Sequence, residues 1–182
     1  MAVGRPREFD AGEVEEQAMT LFWDRGFDGV SISDVSAATG VNRRSIYAEF
    51  GCKENLFERA TQRYLAGPGG YLVGALQQPT AREVASAMMH GAADAVSGDT
   101  RGCLTVGNAP GLTELRDATA HRLAERFDAA VADGELSGVD TVLLARWVCA
   151  VCQGLSIQAR SGATREELHA VADLALAGWP ER

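Results

Sequence analysis

The amino-acid sequence predicts an all-α protein. Alanine, leucine and valine are frequent, only 5 of the 182 residues are proline, and alternating apolar and polar strand patterns are scarce. Apolar residues recur instead at helical spacing, in segments that open on serine, threonine, aspartate or asparagine and often end on glycine. A chain of this length is long enough to bury the cores of one or two helical domains.

The charge and the cysteines limit the function classes. A formal net charge of −8 excludes a protein that coats nucleic acid by bulk attraction, so any contact with DNA has to be local. An arm at residues 1–9 carries Arg5 and Arg7, and it either reaches a neighbouring phosphate or minor groove or is a disordered tail. The 4 cysteines are expected to be reduced thiols rather than disulfides.

The sequence gives no indication of a membrane segment or a bound cofactor. It contains no run of eighteen apolar residues and no basic-then-apolar leader, so we expect a soluble, cytoplasmic protein that does not contact a membrane. No cofactor and no metal is expected.

The first helix is predicted from Asp10 to about Arg25. Asp10 and Glu13 have the spacing of a capping box, in which side chains satisfy free backbone N–H groups, and Gly26 ends the helix. The apolar face of this helix consists of Val14, Ala18, Leu21 and Phe22.

The segment at residues 31–53 predicts two short helices joined by a tight turn. Ser31 and Asp34 form a second capping-box pattern, so one helix starts at Ile32 and ends near residue 38. Gly40 makes the turn, Asn42 is a good N-cap for the second helix, and Gly51 ends it. The expected shared buried face consists of Val35, Ala38, Val41, Ile46 and Phe50.

This arrangement is typical of a helix-turn-helix that reads the DNA major groove. The first turn of the second helix holds Arg43 and Arg44, and an arginine side chain either pairs with the guanine edge or forks onto a phosphate. The alternative is an ordinary helical hairpin whose arginines are only solvated. The candidate DNA-contacting residues are Ser31, Ser33, Asn42, Arg43, Arg44, Ser45, Tyr47, Ala48 and Lys53.

Downstream, the apolar spacing and the caps predict further helices. A connecting helix starts at Lys53 and runs toward residue 66, and the Gly-Pro-Gly-Gly run at residues 67–70 interrupts the helical pattern. We assign residues 1–53 to the DNA-binding domain and residues 54–182 to a second helical domain, with the structural boundary near residues 64–70. The later helices are expected at about residues 80–96, 112–132, 140–161 and 164–177, with a loop at residues 97–111.

At these residues the sequence resembles the TetR family of bacterial transcriptional repressors. The resemblance rests on FDGVSISDVSAATGVNRRSIYAEFGCKENLF at residues 27–57, and it extends to GRPREF, YLAGPGGYLVGAL, PTAREV and RGCLTVGNAP, which are similar to the ComR-like branch of the family. It implies a C-terminal domain for ligand binding and dimerisation, a palindromic operator as the DNA partner, and release by a small-molecule inducer. It also implies that Lys53 contacts a phosphate. Two positions depart from the family pattern. Where this chain has Arg44, relatives often have proline. Where it has Cys52, relatives usually have an aspartate that caps the next helix, and the loss of this cap costs about 1 kcal/mol of stability.

The last two predicted helices have wider apolar faces than one small core needs, which suggests a partner surface. The resemblance implies that they form a four-helix interface in a homodimer. The candidate dimer-interface residues are Val148, Val151, Leu155, Leu168, Val171 and Leu174. The candidate ligand-pocket residues, each of which has simple core packing as its alternative, are Tyr64, Tyr71, Met88, Met89, Cys103, Asn108, His121, Phe127 and Trp147.

Cysteine chemistry offers alternative functions of the same chain. Cys52 at a helix N-terminus is either an oxidisable thiolate or a tolerated substitution. Cys149 and Cys152, spaced i, i+3, are either soft ligands for Cu(I) or buried packing residues, and packing is the favoured interpretation. A helical enzyme that uses Cys103 with a histidine would need a nucleophile and a base in hydrogen-bond reach, and no motif ensures this, so we do not expect an enzyme.

Overall fold

The structure, a computed structural model, describes residues 9–98 and 101–180. Within these residues the secondary structure consists of helices, as the composition predicts, and the all-α prediction is confirmed. The arm that carries Arg5 and Arg7 lies outside the described residues. The helices are α1 (Ala11–Arg25), α2 (Ile32–Thr39), α3 (Arg43–Phe50), α4 (Lys53–Ala66), α5 (Tyr71–Leu76), α6 (Ala81–Val96), α7 (Leu112–Ala132), α8 (Thr141–Arg160) and α9 (Arg165–Ala177).

The chain divides into two compact units, Met1–Tyr64 and Leu65–Arg182. The first unit therefore contains α1, α2, α3 and most of α4. The functional division into residues 1–53 and 54–182 stays a prediction, because compactness alone does not assign a role to α4.

Side-chain caps set the ends of the helices in the first unit. Ser31 and Asp34 form the predicted capping box at the start of α2, and the Asn42 side chain accepts a hydrogen bond from the Ser45 backbone N–H at 2.9 Å at the start of α3. Between them Gly40 adopts a left-handed conformation with φ 72°, which a residue with a β-carbon rarely tolerates. The turn that separates α2 from α3 is thus fixed by local chemistry.

The first unit buries an aromatic core. Phe22 and Phe57 meet edge to face with ring centroids 5.1 Å apart, and Ile46 and Val35 are completely buried beside them. The expected buried face is wrong at Ala38, which is exposed, because the last turn of α2 faces an open cleft beside the start of α1 rather than the core.

The start of α4 shows why cysteine is tolerated at position 52. The Asn55 backbone N–H donates a hydrogen bond to Cys52 Sγ at 3.5 Å, so the thiol occupies the place of the expected aspartate oxygen. A sulfur acceptor is weak, and the cap is therefore weakened rather than lost.

In the second unit the helices α6, α7, α8 and α9 enclose one hydrophobic core. Met89, Phe127, Val148 and Leu168 are completely buried in it. Capping boxes begin α6 at Thr80 and α9 at Thr164, as the sequence predicts for α6. The short α5 was not predicted, because six residues are too few to show helical periodicity.

Candidate nucleic-acid interface

The α3 helix is amphipathic, and its polar side faces solvent. Ile46 and Phe50 anchor it in the core of the first unit, whereas Arg43, Arg44, Tyr47 and Ala48 are exposed. A tyrosine that is 50% exposed and has no core role is available for a partner. Four of the assigned residues, Arg43, Arg44, Tyr47 and Ala48, therefore lie on the exposed side of α3, whereas Ser45 and Lys53 are half-buried. Contact of the assigned residues with DNA stays a prediction.

The cations of the first unit fall into two groups. Arg59 and Arg63 on α4 are neutralised by Glu15 and Glu16 on α1, and Arg25 lies 3.9 Å from Asp34. Arg43 instead donates only a long hydrogen bond of 3.4 Å to the Ser33 hydroxyl, and Arg44 forms no ion pair with any residue that the structure describes.

The unpaired arginines lie where a helix terminus also favours anions. They occupy the first two positions of α3, whose free backbone N–H groups and dipole attract negative charge. Both effects act at the same place, so the start of α3 attracts anions.

Two candidate contact residues have structural roles as well. The Ser31 hydroxyl and backbone N–H bond to the Asp34 carboxylate, and these hydrogen bonds, more than the nearby Arg25, hold the pKa of Asp34 below its ordinary value. The Lys53 ammonium lies 4.0 Å from the centroid of the Phe27 ring, a cation–π contact that fixes its position at the start of α4.

Arg59 is a residue that the sequence analysis missed. It bonds to Glu15 of α1 and lies 3.5 Å from Glu49 of α3, and its guanidinium is 4.9 Å from the Phe50 ring centroid. It thereby ties α3 to both neighbouring helices. No pattern in the sequence indicates this, because Glu15 lies on a different helix, far from Glu49 and Phe50 along the chain.

The ligand-pocket candidates of the second unit are not all in one place. Met88, Met89 and Phe127 are buried in the core, and Tyr71, Cys103 and Trp147 are half-buried around it. Three candidates lie elsewhere. Tyr64 belongs to the first unit, where its ring packs on Trp23 at 4.9 Å; Asn108 is exposed in a loop; and His121 is exposed on α7, 3.4 Å from Glu125. The prediction is corrected for Asn108, which is exposed in its loop. His121 lies apart from the other candidates, in the lining of an open cleft with Ala124 and Val142, and its role stays a prediction.

The dimer-interface candidates also separate into two groups. Val148, Leu155 and Leu168 are at most 1% exposed within the chain, so they belong to its own core and leave no surface for a partner. Val151 is half-buried, and Val171 and Leu174 are 46% and 76% exposed. The exposed apolar residues that α8 adds are Val142, Leu143 and Ile157. The sequence misassigned the inner residues because both faces of these helices are apolar.

The cysteines of α8 are poorly suited to bind a metal or to act as redox-active thiols. Burial raises the pKa of Cys149 to about 11, and burial raises the pKa of Cys152 still further, so both remain thiols at neutral pH. No group of three or more histidine, cysteine or acidic side chains in residues 9–98 and 101–180 is placed to hold a metal ion. Cys103 Sγ lies 3.0 Å from the Thr105 hydroxyl, and it is not paired with a histidine among the described residues.

The fold and the exposed α3 face define a helix-turn-helix DNA-binding protein. Comparison with known proteins gives the family. The family model of the bacterial regulatory proteins, tetR family, matches residues 16–60. The HTH-type transcriptional repressor ComR of Escherichia coli K12 is 31% identical to this chain over 194 residues, and the alignment covers 98% of this chain and 92% of ComR. The chain belongs to the TetR family and is a DNA-binding transcriptional regulator. The resemblance seen in the sequence is thus confirmed.

Two further relatives extend the comparison. The HTH-type regulator YezE of Bacillus subtilis 168 is 28% identical and covers 96% of this chain and 98% of its own. The TetR family regulator CifR, solved as a cysteine mutant in complex with 26-base-pair operator DNA, superposes with a TM-score of 0.87 at 34% identity and covers 97% of this chain and 100% of CifR.

Proposed function

We propose that the protein is a repressor that binds a palindromic operator as a homodimer and is released by a small-molecule inducer. The observation that carries the DNA-binding step is the pair of exposed arginines at the start of α3, which lack the acidic partners that the α4 arginines have. The names of ComR as a repressor and of CifR as an operator complex support the same role.

In this proposal α3 enters the major groove. Arg44 and Tyr47 contact base edges or flanking phosphates, while Lys53 and the start of α3 bind the phosphate backbone of the DNA. The acidic chain as a whole gives no non-specific attraction, so specific contacts supply most of the affinity.

The dimer uses the outer faces of α8 and α9. Leu143, Ile157, Val171 and Leu174 are each at least 46% exposed, which is costly for large apolar side chains that stay in water. A twofold dimer would present two α3 helices to two half-sites about 34 Å apart, which is one turn of DNA.

We place the inducer in the second unit, where Tyr71, Cys103 and Trp147 are half-buried candidate contacts. These side chains combine aromatic surface with a thiol and lie against the core rather than inside it. The inducer weakens operator binding only by the ratio of its affinities for the free and DNA-bound conformations.

The proposal is tested first by selection of duplexes from a random-sequence pool with the purified chain. We expect one palindromic sequence, bound by two chains and retained against random competitor. Recovery of no preferred duplex would refute operator recognition. Compounds that raise the melting temperature of the protein are then added to the protein–DNA complex. A compound that acts as an inducer must release the DNA.

The dimer is tested with Leu174→Glu, which places a charge on the proposed interface. We expect this variant to sediment as a monomer. The control is Val73→Glu, which places the same charge on α5 at a valine that is 61% exposed, and this variant should remain a dimer. A Leu174→Glu variant that still dimerises would contradict the assignment of the interface.

We also place the protein in the cytoplasm, where the operator DNA is. The α8 helix is long and apolar enough to cross a membrane by length and composition, and we assign its buried side to the core of the second unit and its exposed apolar side to the proposed dimer face. The protonated, buried thiols of α8 do not favour the copper alternative, and Cys103 lies beside Thr105 rather than beside a histidine, which does not favour a cysteine-dependent enzyme.

A further inference from the structure

Gly91 of α6 lies against the Tyr71 side chain of α5 and has no room for a side chain of its own. A β-carbon placed on Gly91 would lie 2.8 Å from Tyr71 Cβ, 3.1 Å from its Cγ and 3.3 Å from its Cδ2. Packed carbon atoms are instead separated by about 3.5–4.0 Å. Because Tyr71 Cβ is bonded to the α5 backbone and does not move when χ1 rotates, a side chain at position 91 would have to displace α5 itself.

The glycine at position 91 is explained by this contact. A glycine in the interior of a helix is less favourable than an alanine, because it loses more conformational freedom on folding. The other glycines inside helices of the second unit are Gly74 in α5 and Gly154 in α8, and a β-carbon placed on either would have free space within 4 Å. At Gly91 the missing side chain is the space that lets Tyr71 approach α6.

The position of α5 depends on packing, because this helix is weak by itself. It has 6 residues, and no side chain caps its start at Gly70. A helix of this length is not stable in isolation. Its buried residue is the small Ala75. Tyr71, Leu72 and Leu76 are half-buried against the core, so Tyr71 is the largest side chain by which α5 packs on the second unit.

A second glycine places the start of α5 close to the end of α4. Gly70 directly precedes Tyr71, and a β-carbon placed on it would lie 2.9 Å from the carbonyl oxygen of Leu65 in the last turn of α4. The Gly70 backbone N–H also donates a hydrogen bond to the Gly67 carbonyl at 3.0 Å. Close contacts therefore run from the last turn of α4 through Gly70 and Tyr71 to Gly91.

We propose that Gly91 is a positioning residue for Tyr71, and that the contact between them holds α5 in the conformation that binds the operator. An inducer that contacts Tyr71 separates its side chain from Gly91 and moves α5 together with the end of α4. Release of the DNA requires that the inducer binds this displaced conformation more tightly than the original one. The proposal deepens the proposed function: the effect on the operator rests on that function, whereas the contact itself does not.

The contact is tested by thermal unfolding of Gly91→Ala in the full chain. Where a helix position has free space, a change from glycine to alanine favours folding by about 5-fold. The matched control is Gly74→Ala, which makes the same change at a position with free space. We expect the control to raise the melting temperature and Gly91→Ala to lower it. In a Tyr71→Gly background, which lacks all three crowded carbon atoms, Gly91→Ala should raise the melting temperature as the control does.

The comparison has two results that would overturn the proposal. One is a Gly91→Ala protein that melts above wild type. The other is an equal loss of stability from Gly91→Ala with and without Tyr71, because the crowding would then come from another group. If Gly91→Ala alone does not fold, Tyr71→Gly/Gly91→Ala must be at least as stable as Tyr71→Gly, and a less stable double variant overturns the proposal.

Hydrogen exchange read by mass spectrometry shows which helix moves. We expect the amides of α5 to exchange faster in Gly91→Ala than in Gly74→Ala, while the amides of α7 and α8 keep their wild-type protection. This measurement decides the contact if Tyr71→Gly does not fold. Exchange of α5 that is the same in both variants would overturn the proposal.

The effect on the operator is measured without any inducer, at a temperature at which the variants are folded. We expect Gly91→Ala to bind the selected operator about 5- to 150-fold more weakly than Gly74→Ala, which is the usual range of coupling between two sites. The same change in the Tyr71→Gly background should cause no further loss. Equal affinities of Gly91→Ala and Gly74→Ala would refute the effect on the operator. A wild-type chain that binds no operator would refute the proposed function, and melting and exchange would still decide the contact.

Discussion

Replacement of Arg44 by alanine tests the operator contact most directly. Arg44 is exposed at the second position of α3 and has no ion-pair partner among the described residues, so its removal leaves no buried charge and no packing defect. A bidentate contact to guanine contributes about 1–3 kcal/mol, which corresponds to a decrease in affinity of roughly 5- to 150-fold per half-site, and the substitution removes this contact from both half-sites of the dimer. If Arg44 reads a base, discrimination at one base pair of each half-site must also relax.

The measurement is fluorescence anisotropy with the selected operator over a range of salt concentrations. If Arg44 binds a phosphate, its removal from each half of the dimer would lower the salt slope by about 0.9 per phosphate, whereas removal of a base-reading side chain would leave the slope nearly unchanged while specificity falls. The matched control is Arg122→Ala, which removes an exposed arginine from α7 in the second unit and should bind like wild type. Affinity and specificity of Arg44→Ala within about twofold of the control would refute this role of α3.

Three further predictions follow from the packing and the thiols. Arg59→Ala should weaken operator binding although Arg59 lies on α4, because it removes the contacts of Arg59 with Glu49 and Phe50 at the end of α3. Recovery of binding in Arg59→Lys would show that the positive charge matters more than the two-pronged guanidinium, and unchanged anisotropy in Arg59→Ala would contradict the tie to α3. Phe127→Ala should lower the free energy of unfolding by about 3–5 kcal/mol in urea melts, since Phe127 is completely buried; a change below about 1 kcal/mol would place it outside the core. Cys149 should react slowly with iodoacetamide at neutral pH and accelerate only as the pH approaches about 11, where its thiolate forms; mass-spectrometric labelling at neutral pH as fast as that of free cysteine would contradict its burial.

The helix bounds were largely readable from the sequence because they depend on local chemistry. Caps such as Ser31 with Asp34, and the left-handed Gly40, act within about four residues of the helix end that they fix. The exposed side of α3 was readable for the same reason, since Ile46 and Phe50 mark its buried side at i, i+4 spacing.

The errors concern contacts between distant segments. The inner and outer faces of α8 and α9 are both apolar, so the sequence could not separate the core residue Val148 from the exposed Leu174. The role of Arg59 depends on its pairing with Glu15, which lies far from it along the chain. Periodicity carries no information about such pairs.

The distribution of charge determines how the regulator behaves among the rest of the chromosome. Because α1 neutralises the α4 arginines and the molecule as a whole is anionic, random duplex offers it little electrostatic attraction. Few copies are then held on the vast excess of competing sites, and a small number of molecules per cell suffices to keep one promoter occupied.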